Sequence, residues 1–319
     1  MKTETKLTGF AKYAWLTLVF NLLVILWGVF LRASLSGDGC GAHWLTCGGE
    51  VIPTAPQLKT SIEFFHRITS ALAGLTVIGL VVWALIKQRR EKSAHSALLL
   101  KMAIASLVFI IIEGVVGGLL VLTGNTAANW TPTRPLWMAA HLVNTFTLIA
   151  VLTLTAWFAG GGKSFNFKVS RKYLILLALG TAGIFIVGMS GSIAALSSMI
   201  FPSSTLSEGI AKDFSATSHY ILKLRVFHPL IAIAVGTYLV FIAVWLKFQA
   251  RTNAVVGRWS NILSILLLIQ FAVGMTTLAL LAPVVLQIAH LFLADAIWIS
   301  FVLMTAAFLA ERGEIEGLA

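Results

Sequence analysis

The sequence predicts an all-α integral membrane protein, with eight transmembrane helices forming two pseudo-symmetric four-helix bundles. Three observations predict it. Hydrophobic residues make up 58% of the chain and charged ones only 11%, with a mean hydropathy of +0.93, a balance outside that of soluble domains. The apolar residues gather into eight runs near the ~20 residues a helix needs to cross hydrocarbon. The last four runs repeat motifs of the first four, in the same order.

The runs cover about 13–32, 62–86, 97–122, 135–159, 172–197, 219–246, 257–281 and 284–309. The first follows the basic residues Lys2, Lys6 and Lys12, as a secretory signal would. It is too long for a signal core and shows no small-residue cleavage pattern before Arg32, so it reads as a retained anchor. If the N-terminus is cytoplasmic, 16 of the 23 Lys and Arg residues fall on that side, among them Lys87, Arg89, Arg90, Lys92, Lys168, Arg171, Lys172 and Arg312. That is the positive-inside pattern of a plasma-membrane protein with both termini cytoplasmic. The formal charge of +11 is thus a topology signal and does not point to nucleic acid. The long loops after the first, third and fifth spans face out.

Cys40 and Cys47, the only cysteines, lie in the first outer loop and meet an oxidising compartment. They form a disulfide across this short loop, or remain free thiols or a redox-active pair. Two cysteines are too few for a zinc site, although His43 is close.

The second span contains Ile62-Glu63-Phe64-Phe65-His66-Arg67 and the sixth Leu224-Arg225-Val226-Phe227-His228-Pro229. The third contains Ile112-Glu113-Gly114-Val115-Val116-Gly117 against Ile269-Gln270-Phe271-Ala272-Val273-Gly274 in the seventh. Ala140-His141-Leu142 in the fourth matches Ala289-His290-Leu291 in the eighth. The offsets are 162, 157 and 149 residues, as loop-length drift in a duplicated four-helix unit produces. Residues 1–160 then form an N-terminal bundle and 161–319 a C-terminal one.

His66, His141, His228 and His290 all lie about five to nine residues past the outer ends of their spans, hence at one depth. Ionisable side chains are costly in a membrane and face a bundle interior or cavity, and imidazole is an axial ligand of haem iron. Four histidines in duplicate at one depth point to two haems, each between a pair; a lone histidine would more simply hydrogen-bond a neighbouring helix. His43, His95 and His219 carry no such pattern.

Glu63 projects from the same helix face as His66 and offers a carboxylate for proton transfer beside a porphyrin. Thr60-Ser61-Ile62-Glu63 also has the form of a capping box, with Arg67 placed for an i,i+4 ion pair. Arg32, Arg67, Arg134 and Arg225 stand near outer helix ends, where they can pair with haem propionates or simply anchor at the interface. Mid-membrane Glu113 reads as a helix-packing hydrogen bond, with a proton path as the alternative. Gly117, Gly118 and Gly274 read as points of close helix approach, and Asp295 as structural.

An arginine ending the first span, Ser36-Gly37-Asp38-Gly39-Cys40, Trp44, Cys47 and Glu63-x-x-His66-Arg67 together resemble the haem A synthase family, and the eight-span layout with His141, His228 and His290 extends the resemblance over nearly the whole chain. The resemblance implies an oxidoreductase that converts the C8 methyl of haem O to the formyl group of haem A. It implies that His66 and His141 hold the substrate haem O, that His228 and His290 hold a haem b cofactor, and that Glu63 is the catalytic acid or base. The chain departs from the family in lacking a second cysteine pair between the fifth and sixth spans, in carrying Pro229 where arginine is common, and in carrying Glu113 where glutamine is common.

Two axial histidines leave no iron position for oxygen unless one departs, which favours electron removal with water as the oxygen source. A non-enzymatic dihaem b-type cytochrome would use the same histidines without needing Glu63. A transporter with inverted repeats suits a parallel duplication poorly. The expected partners are the lipid bilayer, haem O, a membrane prenyltransferase that makes it and a membrane electron acceptor; homo-oligomers are compatible with the sequence.

Overall fold

The computed structural model describes residues 7–165 and 169–316, with side chains through Glu311. Lys2, Lys6 and Lys168 lie outside the described residues, and the Arg312 side chain is not described. Among the described residues there are ten helices and no strand: α1 (Gly9–Ala33), α2 (Leu58–Glu91), α3 (Ala94–Leu122), α4 (Arg134–Ala159), α5 (Arg171–Ile200), α6 (Leu206–Phe214), α7 (Tyr220–Arg225), α8 (Phe227–Gln249), α9 (Ala254–Ala279) and α10 (Val284–Glu316). Eight spans are long and apolar enough to cross a membrane, α7 and α8 together making the sixth. The protein is an all-helical, multi-pass membrane protein.

Local chemistry sets the helix ends. Thr8 caps α1 by accepting from the Ala11 N–H at 3.2 Å, and Ser93 and Ser96 form a reciprocal box at α3. Asn253 accepts from Val255 and Val256 at α9, and α4 opens with a proline in its first turn, where the missing N–H costs nothing. The division between α7 and α8 falls at Val226 because Pro229 has no N–H for the Arg225 carbonyl. Short α6, absent from the hydropathy reading, is capped by Thr205, which accepts from Glu208 N–H. Glu208 in turn holds Lys212 and Ser204, and these bonds push its carboxyl down to about 2.

The capping box expected at Thr60–Glu63 does not form. The helix α2 begins at Leu58, with Gln57 as its cap residue and no side-chain cap bond. The polar turn Leu58–Ser61 adds helix above the apolar run, and Glu63 is already inside it.

Helices α4 and α10 are the central pair. In their most apolar stretches 61% of residues are buried, against 11–28% in the other six spans. Helices α1 to α4 pack as neighbours, as do α5 and α7 to α10, with α4 against α5 and α10, and α1 against α10, joining the groups. This arrangement fits two pseudo-symmetric bundles. At the seam Trp298 Nε1 donates to the Phe146 carbonyl at 2.7 Å, their rings stack at 6.2 Å, and Phe185 meets both edge-on. Asp295 is also buried on α10, with neither carboxylate oxygen hydrogen-bonded among the described residues.

Candidate functional site

The four histidines stand on α2, α4, α8 and α10, each within nine residues of the start of its span and each half-buried. Every ring lies near a glycine of the span before its own. A Cβ added at Gly28 would stand 3.1 Å from His66 Cε1, at Gly191 2.9 Å from His228 Cε1, at Gly274 3.1 Å from His290 Cε1 and at Gly117 3.9 Å from His141 Cε1. Gly274 thus makes room for an imidazole rather than for a helix backbone, whereas a Cβ at Gly117 would meet His141 only in ordinary contact. Gly118 admits the Trp44 indole, with which any side chain there would collide. Sequence reasoning missed Gly28 and Gly191, whose isolated places in apolar helices give no signal of a ring across the groove.

In the C-terminal group the His228 and His290 ring centres are 6.4 Å apart at 83°. Metal–imidazole bonds of ~2.0 Å place two opposed rings roughly 6 Å apart, so the pair fits one metal ion between them. Ser190 Oγ lies 3.0 Å from His228 Nδ1, the outer-nitrogen contact that fixes a ligand's orientation. Gln270 Nε2 lies 3.4 Å from His290 Nε2 and donates to the His290 carbonyl at 3.1 Å. In the N-terminal group His66 and His141 are electrostatic neighbours. Glu113 Oε1 is 3.7 Å from His141 Nε2. The Nδ1 atoms of His66, His141 and His290 are buried without a partner among the described residues. Two paired imidazoles with free nitrogens and a glycine beside each ring suit a flat, iron-bearing macrocycle that supplies the remaining ligands itself.

The first outer loop is fastened to α2. Cys40 and Cys47 are joined by a disulfide. The Cys40 N–H donates to Glu63 Oε2 at 2.8 Å, and the Thr60 hydroxyl donates to the Gly39 carbonyl at 2.9 Å. Gly39 lies so close to the Lys59 backbone that any Cβ there would collide. Arg67 pairs with Glu63 Oε1 through Nε at 3.1 Å and through Nη2. Its Nη1 donates to the carbonyls of His43, Trp44 and Thr46 at 2.6, 2.9 and 2.8 Å. The i,i+4 pair read from the sequence is present, and Glu63, 2% exposed, has both oxygens bonded. The loop brings Trp44 onto Gly118, next to the glycine beside His141.

The other arginines divide by partner. Arg225 pairs with Asp213 at 2.6 Å and reaches Ser198 and the Gly209 carbonyl, fastening α6 as Arg67 fastens the first loop. Buried Arg134 donates to the Ala127 carbonyl at 2.7 Å and to that of Asn129. Arg32 reaches Gln287 of α10 at 3.4 Å.

With the disulfide closed, peptide mapping without reductant is expected to show Cys40 linked to Cys47 and neither sulfur open to alkylation. Closing so short a loop contributes about 2 kcal/mol by the chain-entropy relation. Full alkylation of both in fresh membranes would contradict the bond.

Fold and site together define a polytopic helical membrane protein with a histidine pair in each half. The chain belongs to the COX15-CtaA family, cytochrome oxidase assembly protein, whose profile matches residues 11–302. A Heme A synthase of Alkalihalophilus pseudofirmus is 31% identical over 277 residues, 83% of this chain and 85% of the relative. Proteins from two strains of Thermus thermophilus, both named Protoheme IX farnesyltransferase, are each 43% identical over 303 residues, 95% of this chain but 49% of theirs. The chain therefore spans about half the length of the Thermus relatives.

Proposed function

We infer that this chain is a haem A synthase, an oxidoreductase that takes the C8 methyl of haem O to a formyl group. The observation that carries the reading is the pairing of histidines in both halves, each ring beside a glycine, in a member of this family. His66 and His141 hold the substrate haem O in the bundle of residues 1–160. His228 and His290 hold haem b in the bundle of residues 161–319, and that cofactor supplies one-electron chemistry.

The remaining roles belong to the protein. Glu63 is the acid–base group, one turn from His66, and the Cys40 amide and Arg67 fix its two oxygens in place. Trp44 and the disulfide loop cover α3 at Gly118, next to the glycine beside His141. Arg67 and Arg225 are already matched with carboxylates, so Arg32 and Arg134 are the better placed of the four for propionates. Basic-residue counts support cytoplasmic termini in a plasma membrane. A relative named for protohaem farnesylation contains a segment like this chain along half its length, which supports delivery of haem O by a farnesyl-transferring enzyme.

The test is to express the protein with and without a haem O supply, then extract and identify its haems by mass. Hydroxylated or formylated product is expected only with haem O. Two bound haems with no oxidised product under either condition would favour the electron-carrying cytochrome.

A further inference from the structure

Glu113 and Gln270 occupy matching places, each four residues before the glycine beside a histidine, on α3 and α9 respectively. Each reaches a histidine Nε2: Glu113 Oε1 is 3.7 Å from His141 Nε2, and Gln270 Nε2 is 3.4 Å from His290 Nε2. Glu113 is held by two neighbours on α4. Asn144 Nδ2 donates to Oε2 at 2.6 Å, and the Thr145 hydroxyl donates to Oε1. Both carboxyl oxygens of Glu113 thus have a polar neighbour on α4. Gln270 is neutral at the corresponding place. The two halves thus differ by a carboxyl group in one and a carboxamide in the other beside a similarly placed histidine.

We propose that Glu113 sets the reduction potential of iron held by His66 and His141 below that of iron held by His228 and His290. The inference rests on the haem reading given above. A carboxylate beside a histidine that holds iron would favour the ferric state, which carries one more positive charge than the ferrous, and low local dielectric would strengthen the effect. Iron held by His66 and His141 would then be the better one-electron donor of the two, and iron held by His228 and His290 the better acceptor. Glu113 is a positioning residue in this account: it acts on the iron through charge and through His141.

The test is a potentiometric titration of the purified, haem-loaded protein, followed by optical and electron paramagnetic resonance spectra. Glu113→Gln is expected to raise the ferrous-to-ferric ratio of the N-terminal centre at least tenfold at fixed ambient potential, about 59 mV for a one-electron couple, and to leave the C-terminal centre unchanged. Gln270→Glu is expected to move the C-terminal centre by a similar factor in the opposite direction. Unchanged potentials in loaded variants would overturn the proposal while leaving the haem reading intact. Wild-type protein that binds no haem through His66 and His141 would overturn the haem reading and this proposal with it. If Glu113→Gln fails to load, the Gln270→Glu shift decides alone.

Discussion

Replacing Glu63 by glutamine is expected to leave both haems bound and membrane levels normal, while lowering haem A formation by ~10²- to 10⁴-fold, the usual loss when general acid–base assistance is removed. Glutamine has nearly the same shape but cannot exchange a proton near neutral pH. Its oxygen can still accept from the Cys40 N–H, and its amide then faces Arg67 in place of an anion. That weakened contact lies in the outer loop, so protein level and haem content are measured beside the product. Haem O or an early hydroxylated intermediate should accumulate. Wild-type yield at limiting enzyme would leave Glu63 only the task of fastening the loop and would return the carrier reading to first place.

The second large effect is expected at the C-terminal site, where His290→Ala should remove haem b and keep the haem of the N-terminal site, halving haem per protein. The two histidine pairs lie in different helix groups, with His290 opposite His228 and His141 beside His66. Loss of one ligand therefore acts on its own pair. The small side chain leaves Gly274 with nothing to accommodate and does not disturb the α4–α10 seam at Trp298. Haem extracted per mole of folded protein gives the count. Disappearance of both haems from a variant that still elutes as folded protein would argue against two independent sites.

Hydropathy alone located the eight spans to within a few residues, because a bilayer forces long apolar runs and leaves little latitude. The histidines were legible for the same reason: an ionisable side chain stands out in an apolar helix. What was hidden involves partners that have no sequence signature. Arg67 is occupied by the carbonyls of His43, Trp44 and Thr46, and a backbone acceptor looks alike at every residue. Gly28 and Gly191 are defined by a ring on another helix. The box at Thr60–Glu63 misled because its spacing is also found inside a helix, and α2 starts earlier, at Leu58. The signal for α6 was present in Thr205 and Glu208, a capping pair outside any apolar run.

The seam between α4 and α10 also imposes an order in time. Trp298 and the Phe146 carbonyl that it reaches are 152 residues apart in the chain, and synthesis proceeds at ~5–20 residues per second, so roughly 8 to 30 seconds separate their emergence from the ribosome. Helix α4, one of the two most buried spans in the finished protein, therefore enters the membrane with the Phe146 face that α10 will cover still turned to lipid. Helix α10, made well after α4, completes the centre of the first four. Final packing of the N-terminal half is consequently a late, post-insertional event.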